Sequence, residues 1–268
     1  MANKTINIMK SRLDELVYSG VQIEGIAATF ADTEQIIREG KASNVSPADV
    51  SKVLGIKRGL EFLFDSYDEP MTFELYSKYN SIVGEGTIPR AGIMRGPGEV
   101  RVDDYYPDDV DVRLFDSIIA TALDSSYDYS EAACSLVLNL SRAQFFYDGN
   151  KRSSSIMANH LLAHFDSAAA FIIKEHDRDA FLDLLVNYYH GNISLQDASW
   201  DLESMAIVST EKDLSLDLDD EDISDLSQVK AEEASSFVAM GGMESLSKLD
   251  SADIHPAATA SPDDWSHL

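Results

Sequence analysis

The sequence predicts a mainly α-helical domain carrying one small β-hairpin. Apolar residues recur at helical spacing through most of the first 208 residues. Capping and breaking residues bound those runs. A single segment around Gly96-Pro97-Gly98 departs from the helical period. The first helix is expected over residues 6–18, where Ile6, Met9, Leu13, Leu16 and Val17 share one face. Ser46-Pro47 opens the next, with serine as N-cap and proline in the first turn, ahead of Val50, Val53, Leu54, Leu60 and Phe64. A third covers residues 73–83. Residues 93–102 alternate short apolar and basic positions about Gly-Pro-Gly, a hairpin signal. Helices follow over 107–123, 130–147, 151–165, 178–189 and 195–207. No internal repeat is present.

Composition narrows the function classes. The chain has 268 residues, a hydrophobic share of 44% and a formal net charge of −26. Such an excess of carboxylates argues against nucleic acid as a partner, because phosphate backbones reward clustered Lys and Arg. No apolar stretch approaches the roughly 20 residues of a membrane span, and residues 1–5 lack a signal peptide's apolar core. One cysteine, Cys134, lies inside an apolar run. A reduced, cytoplasmic protein away from membranes is the expectation. From residue 210 onward, 15 Asp/Glu accompany only 3 Lys. Residues 209–268 are therefore expected to be an acidic, disordered tail beyond a domain of residues 1–208, with one short amphipathic helix over 234–249. Such a tail suits a solvated spacer, or docking onto a basic protein partner.

The chemistry concentrates in Gln144-Phe145-Phe146-Tyr147-Asp148-Gly149-Asn150-Lys151-Arg152. An apolar run from Ala132 to Leu140 leads in, Asp148-Gly149-Asn150 breaks it, and a second apolar helix begins at Lys151. Backbone N–H groups at a helix start are unpaired and carry the positive end of the helix dipole, so an anion binds well there. Asp148 offers a hard oxygen ligand for Mg²⁺, while Lys151 and Arg152 offer cationic donors to phosphate oxygens.

This stretch resembles the signature of Fic/Doc (Fido) proteins, H-x-F-x-[D/E]-[G/A]-N-[G/K]-R. Every fixed position matches except the first, where Gln144 stands in place of the family's catalytic histidine. The resemblance extends over roughly residues 15–205 and implies a Fic-type helical bundle with a β-hairpin flap. It implies a nucleotide, ATP or another, held with Mg²⁺ by Phe146, Asp148, Gly149, Asn150, Lys151 and Arg152. It further implies a flap, here Ile93, Met94 and Val100, that pairs with an extended segment of a protein target by strand addition. In the family the histidine removes a proton from the target hydroxyl. A glutamine amide has no usable basic lone pair near neutrality, and losing a positioned base reduces rates by roughly 10² to 10⁴.

Two further features bear on activity. Ser19-Gly20-Val21-Gln22-Ile23-Glu24-Gly25 resembles the family's inhibitory motif [S/T]-x-x-x-E-[G/N], with Gly20 at the Ser/Thr position and Ser19 one residue away. In the family that glutamate pairs with a second arginine and obstructs the terminal phosphate. Ser155 occupies the second-arginine position here, so obstruction by Glu24 must lean on Arg152. Lys151 stands where Fido AMP transferases have glycine. Lysine there includes the toxin-like Doc type, which phosphorylates its target, so the transferred group stays open. No other residue supplies a base. His160 and His164, one turn apart, are expected to be packed helical histidines, and Tyr147 is a phenol, a poor base near neutrality. Two functions therefore stand: a Fic-like nucleotide-binding protein that is a candidate protein adenylyltransferase, or an inactive Fido pseudoenzyme that binds nucleotide or protein.

Overall fold

A computed structural model describes residues 3–123 and 128–209. The acidic stretch expected beyond Ser209, with its amphipathic helix, lies outside the described residues. Ten α-helices are found among the described residues, in the order α1 Lys4–Ser11, α2 Leu13–Glu24, α3 Phe30–Glu39, α4 Pro47–Ser66, α5 Phe73–Val83, α6 Val112–Ala122, α7 Tyr129–Ala143, α8 Asn150–His164, α9 Arg178–Tyr189 and α10 Leu195–Ala206. No helix among the described residues is long and apolar enough to cross a membrane. The mainly helical architecture is as the sequence predicts.

Helices α7 and α8 pack most extensively and form the axis of the bundle, with α10, α4 and α5 around them. On α8 almost every residue is buried, including four serines and asparagines of the sequence Ser153-Ser154-Ser155 and Asn159. Such a helix is stable only if its hydroxyls and amides are satisfied. Ser153 and Ser155 donate back to the carbonyls of Gly149 and Lys151. The Ser154 hydroxyl meets that of Ser141 on α7 at 2.9 Å. Asn159 accepts from Phe171 N–H and donates to the same residue's carbonyl, fixing the strand β1 Ala169–Phe171 against the helix. Strand β1 pairs antiparallel with β2 Ile207–Ser209, which closes the chain back on itself after α10.

Helix starts follow the local sequence. Ser46, Thr72, Asp111, Asp128 and Ser194 each accept the backbone N–H three residues on. Beside shifted ends of α6 and α7 and the unforeseen β1–β2 pair, expectation and structure part at three places. The helix predicted over residues 6–18 is two helices broken at Arg12, whose φ of −114° and ψ of 25° leave the helical region. The break lets one apolar stripe serve two partners: α1 lies on β1 and α8, and α2 turns toward α4 and α3. Helix α3 is the second difference, since no helix was expected there. It is short, buries only Thr33 and Ile36, and is set by a Thr29–Asp32 capping box.

The third difference is the flap. Residues 93–102 do not pair with each other as a hairpin, and the described strands lie elsewhere, at β1 and β2. Met94 instead bridges Phe146, and Arg95 N–H donates to the Phe145 carbonyl at 2.9 Å. The cause is Arg95, which is drawn inward and buried. Its guanidinium donates to the carbonyls of Ala143 and Gln144 at the end of α7, groups with no intrahelical partner. That contact commits one arm of the segment to the signature loop. The Gly96-Pro97-Gly98 turn is then closed locally, Glu99 accepting Gly96 N–H and pairing with Arg90.

Candidate functional site

The signature loop is a tight connection between the two central helices. Helix α7 ends because Gln144 adopts the left-handed region, φ 51° and ψ 61°, which turns the chain sharply. Phe145 and Phe146 then drop into an aromatic cluster with Phe73, Tyr76 and Phe115. Gly149 has φ 78°, a region that favours glycine, and starts α8. A Cβ there would come within 3.0 Å of Asn80 and Ile88, so the loop fits only without a side chain.

Asn150 holds the loop closed. Its carbonyl oxygen accepts Phe146 N–H at 2.9 Å, and its amide donates to the Phe146 carbonyl and to Gln144 Oε1, each at 2.8 Å. Gln144 Nε2 in turn donates to the Ser141 carbonyl at 2.6 Å. Both ends of the Gln144 amide are therefore committed inside the protein, and the residue is buried. Asn80, fully buried on α5, donates to the Asp148 carbonyl and accepts Gly92 N–H, tying the flap's root to the loop.

Charge is arranged around Arg152, which is only 2% exposed. Its Nη2 lies 3.1 Å from Glu24 Oε1 at the end of α2 and 3.6 Å from Asp148 Oδ1. Its Nη1 donates weakly to the Val83 carbonyl at 3.4 Å, and its buried Nε has no hydrogen-bond partner. Ser155, one turn on, donates its hydroxyl to the Lys151 carbonyl within α8. Of the two arginine positions the inhibitory motif calls for, only Arg152 is present, and Glu24 pairs with it. Lys151 makes no ion pair among the described residues and lines the adjacent cavity.

That cavity has a volume of about 540 Å³, within the usual size for small-molecule sites. One wall is polar, made by Glu24, Gln144 and the loop from Tyr147 to Lys151. Flap residues 100–103, with Arg101 and Asp103 between and beside two valines, add a mixed edge, and Leu182, Leu185, Val186 and Tyr189 of α9 make an apolar wall. Burial raises the Tyr189 phenol pKa above its ordinary value, so it stays protonated beside Gln144. Of the flap residues named from sequence, Val100 reaches the cavity, Met94 anchors the segment and Ile93 is 56% exposed. Phe146 is not at the cavity; it is a buried anchor.

Among the described residues no cluster of three or more His, Cys, Asp or Glu stands ready to hold a metal. Asp148 has a side chain 55% exposed, with Oδ1 accepting Gly149 N–H and lying 3.6 Å from Arg152 Nη2. An accessible carboxylate of this kind suits Mg²⁺ that arrives with phosphates and keeps several waters, and does not suit a resident metal cage. His160 and His164 are packed as expected. His160 Nδ1 meets the Tyr79 hydroxyl at 2.8 Å and Nε2 the Glu69 carbonyl at 2.9 Å, and burial lowers its pKa to about 4.

Asn80, Arg95, Tyr189 and Arg178 escaped the sequence. Arg95 alone had a signal, a basic residue beside the Gly-Pro-Gly turn.

The arrangement defines a helical domain with a tight glycine-started loop between its two central helices and a carboxylate set against the arginine that follows it. No protein-family model and no curated protein matches the sequence. Solved structures do share the fold. A Fic-domain signaling protein from Bacteroides thetaiotaomicron aligns over 76% of this chain and 87% of its own, with 17% identity and a TM-score of 0.61. Fic-1 from C. elegans aligns over 76% of this chain and 63% of its own, at 19% identity and a TM-score of 0.63. A Fic family protein from Desulfovibrio desulfuricans covers 80% and 68%, at 14% identity and 0.58. The fold is the Fic fold.

Proposed function

We propose that this protein binds a nucleotide, ATP or a related one, with Mg²⁺ in the cavity before α8. We further propose that it is a Fic-type transferase, moving AMP or a related phosphate-containing group onto a protein hydroxyl. The observation that carries the proposal is Arg152. It is a buried guanidinium at a helix start, with Nε unpartnered and Nη2 facing a carboxylate that lines the cavity. A phosphate is the chemical replacement for that carboxylate.

Backbone N–H groups of the Gly149–Lys151 turn would receive phosphate oxygens, with the Lys151 ammonium beside them. Arg152 would meet the charge that develops during transfer once Glu24 withdraws. The apolar α9 wall suits a base and excludes water from it. Asp148 would hold Mg²⁺, which supplies charge neutralisation at the phosphates. A target segment would lie along the flap near Ile93. Gln144 cannot accept the hydroxyl's proton, which must pass to water or to a phosphate oxygen.

A second function, nucleotide binding without turnover, is favoured by one observation. The Gln144 amide donates to Ser141 and accepts from Asn150, so its orientation is fixed inside the protein and not by a target hydroxyl. Calorimetric titration with Mg·ATP tests the binding step. Binding by the wild type and its loss in Lys151→Ala/Arg152→Ala is the expected result; heats unchanged by the double substitution would place the nucleotide elsewhere.

A further inference from the structure

Glu24 sits where it should be hardest to keep. It is the last residue of α2, so its carboxylate adds to the negative end of the helix dipole. The last carbonyls of the helix are without intrahelical partners as well. Arg152 compensates from inside the protein. A second arginine meets the last turn of the helix at its backbone. Arg178, the first residue of α9, donates from Nε to the Gln22 carbonyl at 3.1 Å. Its Nη1 is braced by Asp179 at 2.7 Å, and its Nη2 lies within 3.5 Å of the Cβ position of Gly25. Gly25, at φ 67°, ends the helix by donating to the Gln22 carbonyl too. One acceptor thus gathers the final turn of α2 and the start of α9.

We propose that Arg178 is the positioning residue that fixes Glu24 against Arg152, so that α9 decides whether the phosphate site is closed. The proposal rests on the nucleotide site described above. Arg178 touches neither the phosphate loop nor the cavity, yet the helix it opens carries Leu182, Leu185 and Tyr189, which wall that cavity. A ligand that shifts α9 acts on the Arg178–Gln22 contact, and release of that contact frees the turn bearing Glu24. A second tie, from Ile173 N–H to the Ser19 hydroxyl at 2.8 Å, joins α2 to the segment before α9. It holds the body of α2 and leaves its last turn to Arg178. The Arg178 side chain is 35% exposed and its ion-pair partner Asp179 is 87% exposed, so its removal does not open the core.

The test uses the full chain. Hydrogen exchange is followed in the peptide spanning residues 20–27, which contains the Gly25 and Ile26 amides bonded to Gln22 and Val21. Mg·ATP affinity is measured by calorimetry alongside. In Arg178→Ala, exchange in this peptide should rise about tenfold while the rest of the protein is unchanged, and Mg·ATP should bind about fivefold tighter. In a Glu24→Ala background the same substitution should alter affinity less than twofold. Arg178→Lys, which keeps charge but loses the Nε donor, should fall between. Unchanged exchange in residues 20–27 overturns the proposal. So does an equal gain in affinity with and without Glu24, because Arg178 would then act directly on the ligand. Raised local exchange with no Mg·ATP binding by any variant supports the latch and removes the nucleotide site alone.

Discussion

Replacing Asn150 by alanine tests the site's construction most sharply. The side chain is buried and makes three hydrogen bonds, all between 2.8 and 2.9 Å, to the Phe146 N–H, the Phe146 carbonyl and Gln144 Oε1. Phe146 and Gln144 are themselves buried, so truncation strands groups that water reaches poorly. Leaving one buried polar group unpaired costs about 1–3 kcal/mol. Three in one network are not additive, and the small cavity admits some water, so about 3 kcal/mol is expected. For a domain of this size that lowers the melting temperature by about 6–12 °C. Asn150→Asp should be no milder. A carboxylate still accepts Phe146 N–H, but it faces Gln144 Oε1 and the Phe146 carbonyl, acceptor against acceptor. Thermal unfolding followed by circular dichroism measures both. A midpoint for Asn150→Ala within 2 °C of the wild type would refute the clamp.

Other outcomes follow from the same geometry. Gln144→His in a Glu24→Ala background should raise labelling of a confirmed protein target from Mg·ATP at least about 10²-fold, as expected for a restored base; unchanged labelling would mean that residue 144 is not the limiting defect. Gly20→Ser restores the inhibitory motif on paper but drives a Cβ to 2.9 Å from Ile56 Cγ2, so it should destabilise by about 1–3 kcal/mol in urea unfolding. His160 gives a pH signature. Its folded pKa of about 4 lies below the unfolded value of 6.5, so its contribution is whole above pH 6.5 and is lost as pH falls toward 4. The difference in stability between wild type and His160→Gln should change by about 3 kcal/mol across that window, and a flat difference would contradict it.

How far the sequence foretold the site depends on the range of each contact. Helix α8 and its Gly149 start were legible because a turn residue and an apolar run lie side by side in the chain. The sequence reached the Glu24–Arg152 pair only conditionally: since Ser155 cannot carry a charge, obstruction by Glu24 had to lean on Arg152, and a surface Glu24 was the alternative. Gly20 looked like a departure from a motif and proves to be a packing requirement, since α2 lies close on Ile56 of α4. Ser19 beside it is engaged with Ile173 N–H at 2.8 Å, so it is not free to substitute. The flap failed as a hairpin because the arginine that unpairs it answers to carbonyls about fifty residues away. Asn80 and Arg178 lie on helices whose periodicity marks only what is apolar. Helix α3 buries too little for its period to show.

The central claim is that Glu24 and a nucleotide's phosphate compete for the Arg152 guanidinium. Calorimetric titration of wild type and Glu24→Ala with Mg·ATP, beside Arg152→Ala, measures that competition directly. Removing a buried partner leaves an uncompensated charge that a phosphate can satisfy. Glu24→Ala should bind at least about tenfold tighter than the wild type, and Arg152→Ala should not bind. Equal affinity of wild type and Glu24→Ala, or binding that survives loss of Arg152, would contradict it.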